Sequence, residues 1–185
     1  MSYELAQVNI GRLAAPLDSP ELAAFMAALD PVNAAAEQAP GFIWRLQTED
    51  GNATAVRAFE WDAQESAGVL VNMSVWASVE DLGAFVFGNG LHRQIMRQRR
   101  QFFQLMREAY TTCWWVPAGH RPTPAEAEDR IRHLRAHGPT PWAFTLKTSF
   151  PAPVSPGGPA GSRPGGLALP GLIPGWLASW VSGAS

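Results

Sequence analysis

The run PAPVSPGGPAGSRPGG, residues 151–166, sets the outer limit on what this chain can fold into. Proline removes backbone donors, glycine resists ordering, and the stretch has little apolar surface to offset either cost. It reads as a flexible linker. A packed domain must therefore be complete within residues 1–150, and residues 167–185 beyond the linker form a separate segment. A domain of that length supports one hydrophobic core.

Within residues 1–150 the apolar periodicity changes in a definite order. YELAQVNI (3–10) alternates as a short strand. DSPELAAFMAAL starts a helix, with Ser19 as cap, Pro20 at the first position and Glu21 in the first turn; Pro31 bends or splits it, and Pro40-Gly41 ends it. FIWRLQTE (42–49) and TAVRAFEW (54–61), joined by DGNA, predict a hairpin, and GVLVNMSVW (68–76) a further strand. SVEDLGAFVFG (78–88) is a short helix capped by Ser78 and Asp81, followed by a long helix over about 91–109 and a strand at TTCWWV (111–116). TPAE (123–126) opens another helix that runs to about His137, and WAFTLKTSF (142–150) is a strand or extended arm. The fold class is α+β, with the ferredoxin-like split βαβ order and an antiparallel sheet. Helices on one side of such a sheet leave the other side bare, and dimerisation is its commonest cover.

Charge and cysteine usage exclude several classes. A formal net charge of -2 offers no basic footprint for nucleic acid. No apolar run approaches the length of a membrane span, and MSYELAQVNI has no basic region leading an apolar one, so the expectation is a cytoplasmic protein. The lone Cys113 rules out an internal disulfide and reads as a buried, inert thiol.

The candidate chemistry lies on NGLHRQIMRQRRQFFQLM (89–106). At about 100° per residue, His92, Ile95, Met96, Arg99, Phe102, Phe103 and Met106 fall on one face of the helix. That face should pack inward, yet it carries an imidazole and a guanidinium. Arg99 needs a carboxylate partner (Glu60, Asp62 or Glu80), an anionic ligand or a wet cavity, because an unpaired buried arginine costs several kcal/mol. His92 sits in the first turn, where the helix dipole favours the neutral ring; it can cap the helix, act as a base or bind a metal. Asn9 shares a strand face with Leu5 and Gln7 and can either finish the strand or hold a substrate oxygen. His133 and His137 have metal-binding spacing on a helix, but a solvated helix face is the simpler reading.

VWASVEDLGAFVFGNGLHRQIMRQRRQFF, followed by WWVPAGHRPTPAEAEDRIRHLRAHGPTPWAF, resembles an uncharacterised bacterial domain family of the dimeric α/β-barrel superfamily, related to antibiotic-biosynthesis-type and haem-degrading monooxygenases. The resemblance implies a homodimer of ferredoxin-like protomers packed sheet against sheet, with an apolar small-molecule pocket in each. It implies monooxygenase-like oxidation of an aromatic or haem-like molecule, with His92, Asn9 and Arg99 as catalytic residues and Trp76, Phe85, Met96 and Phe103 as pocket wall. Haem is the cofactor it brings into view, with His92 as ligand, although Phe85 stands where the haem-degrading branch has tryptophan. The alternative is a dimer that binds a small molecule, or is purely structural, without turnover.

The tail LALPGLIPGWLASWVSGAS is apolar and carries no charged side chain. Leu169, Leu172, Ile173, Trp176, Leu177 and Trp180 suit a peptide that docks in a protein groove, as cargo peptides of encapsulin-like shells do; folding back onto its own domain is one rival and lying on a membrane surface another, the latter disfavoured by the absence of Lys and Arg. Deleting residues 151–185 separates them: a stable protein that loses a partner supports docking, and a precipitating one supports fold-back.

Overall fold

β1 (Tyr3–Arg12) is the centre of the molecule because both of its faces are apolar enough to be covered. The computed structural model describes residues 2–88, 90 and 99–154. In chain order β1 is followed by a 3₁₀ turn (Pro20–Leu22), α1 (Ala23–Glu37), β2 (Phe42–Arg45), β3 (Val69–Trp76), α2 (Val79–Gly88), β4 (Thr111–Pro117) and α3 (Pro124–His137). The strands form one sheet in the order β2-β3-β1-β4, every neighbouring pair antiparallel. This α+β arrangement is compatible with the ferredoxin-like order.

The pleat divides the sheet sharply. Ala6, Val8 and Ile10 of β1, Val71, Met73 and Val75 of β3, and Trp114 and Val116 of β4 form one apolar face. Ala127 and Ile131 of α3, with Phe59, Met106 and Tyr110, seal that face within the single chain. The bare face that motivated a sheet-to-sheet dimer is therefore not bare, and a dimer through it would require α3 to leave. The other face carries Leu5, Trp76 and Cys113 and lies under α1, α2 and the arm after α3.

Several expectations need correction. The 42–49/54–61 hairpin does not form: β2 has four residues, pairs with β3, and shifts register between Phe42 and Trp44. Its polar continuation closes on itself instead, with Thr48 Oγ1 donating to the Asn52 carbonyl and the Thr54 amide to Asn52 Oδ1. Residues 56–59 then enter the α3 side of the core, where Phe59 adopts φ 57° and its N–H donates to Glu128 Oε1 of α3 at 2.7 Å. Ser19 makes no side-chain cap; its carbonyl closes the turn by accepting from the Leu22 amide at 3.1 Å. Pro31 neither splits α1 nor ends it: on the exposed side it removes one donor and the helix continues.

Among the described residues of the helix expected over about 91–109, the helical ones end at residue 102. Phe103 forms a bridge with Leu13, the Gln104 amide donates to the Arg12 carbonyl, and the Ile10 amide donates to the Tyr110 carbonyl. The end of β1 captures this backbone, and Gly11 makes room for it: a Cβ there would lie 2.5 Å from the Phe103 ring. α3 starts as its sequence predicts, with Thr123 and Glu126 forming a complete capping box. Residues 142–150 follow β4 as an arm rather than a strand. Phe144 exchanges two backbone hydrogen bonds with Cys113, and the Trp115 indole donates to the Phe150 carbonyl at 2.8 Å.

His92, Met96, the linker after residue 154 and the whole tail, including Leu169, Leu172, Ile173, Trp176, Leu177 and Trp180, lie outside the described residues. Among the described residues no helix is long and apolar enough to cross a membrane.

Candidate functional site

Strand register assembles the site. On the face under α1 and α2, the pairing of β3, β1 and β4 aligns Trp76–Leu5–Trp115, then Ser74–Gln7–Cys113, then Asn72–Asn9–Thr111. The first row is apolar. The next two are mostly amide and hydroxyl, whereas the opposite face of the same strands is almost wholly hydrocarbon. Polar side chains under a helical roof carry a desolvation cost unless they are hydrogen-bonded or face something polar.

Part of that demand is met internally. Ser74 Oγ accepts from Gln7 Nε2 at 2.9 Å and from the Trp76 indole at 2.8 Å. The rest is not. Thr111 Oγ1 is shut off from solvent and has no hydrogen-bond partner among the described residues. The space above these rows is a groove of two neighbouring cavities, of about 70 and 100 Å³, that share lining residues. In that measure each water needs about 10–15 Å³, so the groove has room for a small molecule.

The first cavity is roofed by Val32, Asn33 and Ala36 of α1, by Leu82, Phe85 and Val86 of α2, and by Thr145 and Leu146 of the arm. Its aromatic wall is fixed by contact: Trp76 meets Phe85 at 5.3 Å and Phe42 edge-on at 5.4 Å between ring centroids. The second cavity runs toward Phe25 and Phe103, which pack edge to face at 5.2 Å. The cavities share Asn9, Val32, Asn33, Arg45 and Asn72, a waist of three carboxamides, one guanidinium and one aliphatic side chain. Arg45 gives its Nε to Glu37 Oε1 of α1 at 2.7 Å.

Of the residues singled out from the sequence, Asn9, Trp76, Phe85 and Phe103 all line this groove. Arg99 does not. Its guanidinium lies over the Tyr110 ring at 4.3 Å, on the α3 side of the sheet; burial pulls its pKa down, against the Tyr110 hydroxyl that raises it. The expected pairing of Arg99 with Asp62 is replaced by a different one: Asp62 Oδ1 receives Arg12 Nη2 and Arg135 Nη1, each at 2.7 Å. His133 bonds Thr140 Oγ1 at 2.9 Å and stacks near His137. No cluster of three potential metal ligands occurs among the described residues.

Sequence reasoning missed Arg45, Asn72, Ser74 and Thr111. Each strand did carry a signal, since Q-x-N in β1, N-x-S in β3 and T-x-C in β4 all place polar groups two apart. Only the register brings them into rows.

A protein-family model, described as a domain of unknown function (DUF3291), matches residues 4–157. The chain belongs to the DUF3291 family. No curated protein and no solved structure matches it. What the DUF3291 groove can do must therefore be read from its own atoms. It holds carboxamides, hydroxyls, one guanidinium and the Cys113 thiol, which burial pushes up to about 12 and so keeps protonated at neutral pH. These described residues offer no imidazole or thiolate to a haem iron, so they do not fit that cofactor; His92, the ligand implied by resemblance, lies outside them.

Proposed function

We propose that this DUF3291 chain binds a small aromatic molecule in the groove between its sheet and α1/α2, with Asn9 and its row neighbours holding the molecule's oxygen substituents. One observation carries the reading. A buried polar row, Ser74–Gln7–Cys113, and a second row that lines the groove and is only partly covered, with Asn72 exposed, lie on the face under α1 and α2, while the opposite face of the same strands is apolar and closed. Ser74 and Gln7 are satisfied within the sheet, whereas Thr111 Oγ1 keeps no hydrogen-bond partner among the described residues and lines the groove. A ligand with ring and oxygen uses both the aromatic wall and the amide floor.

1-Naphthol is a suitable probe, titrated into the full chain by calorimetry. Asn9→Leu should weaken it by about fivefold or more, the loss of one ligand hydrogen bond, while Trp142→Ala on the exposed surface leaves it unchanged. Equal affinity in wild type and Asn9→Leu would remove the groove from consideration.

The resemblance to relatives of antibiotic-biosynthesis-type monooxygenases extends the reading to oxidation of the bound molecule by oxygen. Arg45 and the protonated thiol are poor bases, so the proton-accepting role would fall to His92. Oxygen consumption with a naphthohydroquinone, lost in His92→Ala but not in wild type, tests that step. No enzymatic consumption in the wild type leaves a binding protein.

A further inference from the structure

Arg45 is the one charged side chain among the described residues that line the two cavities, and it stands where they meet. β2 is short and its register shifts just before this residue, between Phe42 and Trp44. That irregularity delivers Arg45 into the groove at the level of Ser74. The side chain is mostly buried, at 14% exposed, whereas its partner Glu37 is 46% exposed. Only the Nε edge is engaged; the two Nη groups make no hydrogen bond among the described residues. Around the same waist stand Asn9, Asn33 and Asn72, whose carboxamides can each donate as well as accept.

A guanidinium edge with two free donors matches the two oxygens of a carboxylate. Glu37 is half exposed, so solvent screens its end of the ion pair, and it takes only the Nε edge of the guanidinium. Building on the groove reading above, we infer that the ligand of this site is an aromatic carboxylic acid, bound as the carboxylate. Arg45 Nη groups and the waist carboxamides receive its oxygens, and its ring lies against Trp76 and Phe85 or against Phe25 and Phe103. The division of labour is physical: the ring supplies apolar contact at either end, and the charge fixes position at the middle.

The test compares cinnamate with its neutral counterpart cinnamamide on the full chain by calorimetry, beside 1-naphthol. Cinnamate should bind more tightly than cinnamamide, and Arg45→Gln should weaken cinnamate about tenfold while changing cinnamamide less than about twofold, as expected for loss of one charge-assisted pair. Arg45→Lys, which keeps the charge and loses the planar fork, should fall between. Thermal melting of both variants confirms that they remain folded. If 1-naphthol binds but cinnamate does not, or if Arg45→Gln leaves cinnamate affinity untouched, the carboxylate assignment is overturned and the groove stands. If none of the three probes binds, the groove reading itself fails.

Discussion

Ser74 shows how much one small side chain can organise. Its hydroxyl oxygen accepts from both Gln7 and the Trp76 indole, so it fixes the amide floor and the aromatic wall together. Ser74 and Gln7 are only 6% and 7% exposed, so water cannot readily replace a lost bond. Ser74→Ala should therefore destabilise the protein by about 2 kcal/mol, because two buried donors lose their acceptor. Urea denaturation measures this; a loss below about 0.5 kcal/mol would show that the donors find other partners. Serine at this position could be read from the sequence as polar in a strand, but not as a shared acceptor. That role depends on a tryptophan two residues along and a glutamine in another strand.

The elements differ in how far local chemistry dictates them. α3 is the clearest case: Thr123 accepts from the Glu126 amide, and the Glu126 carboxylate accepts from the Thr123 amide, at 3.2 and 2.7 Å. These contacts lie within four residues, so the sequence displays them directly. Thr123→Ala should cost about 1 kcal/mol of stability, visible as a lower thermal midpoint, and Thr123→Ser should restore most of it. An unchanged midpoint in Thr123→Ala would mean that packing of Ala127 and Ile131 alone holds the helix start. β1, β3, α2 and β4 were legible for the same reason, through alternation or a local cap. The hairpin and the end of the long helix were not. Residues 54–61 have strand-like composition, but Glu128 and the α3-side core compete for their backbone. Residues 103–110 have helical spacing, but the end of β1 offers them extended partners.

At the scale of the whole molecule, one ionic cluster ties distant parts of the chain together. Arg12 at the end of β1 and Asp62 are each 3% exposed. Arg135 of α3 and Glu108 complete the group, so a strand, a turn, a helix and an irregular segment share one network. Burial alone would raise the Glu108 carboxyl, but backbone amides and the Arg12 guanidinium outweigh it and lower its pKa from 4.5 to about 2. The native state thus favours the charged form. Its contribution is complete above pH 4.5 and is lost as pH falls from 4.5 toward about 2. Glu108→Gln should lower stability at pH 7 and flatten the stability profile across that acid window, measured by urea midpoints at several pH values. Parallel profiles for the two proteins would exclude a paired Glu108.

The sequence by itself determined the α+β class, the strand and helix signals of the sheet, the cap of α3 and the presence of polar groups on β1. All of these rest on contacts or periodicities spanning a few residues. Tertiary structure alone decided which polar groups meet. It put Asn72, Asn9 and Thr111 in one row, brought Arg45 to the waist of the groove, moved Arg99 onto Tyr110 and gave Asp62 to Arg12 and Arg135. The physical reason is range. A hydrophobic period records which way a side chain faces, but a hydrogen bond or ion pair between residues far apart in the chain exists only once strand register and helix packing set the distance.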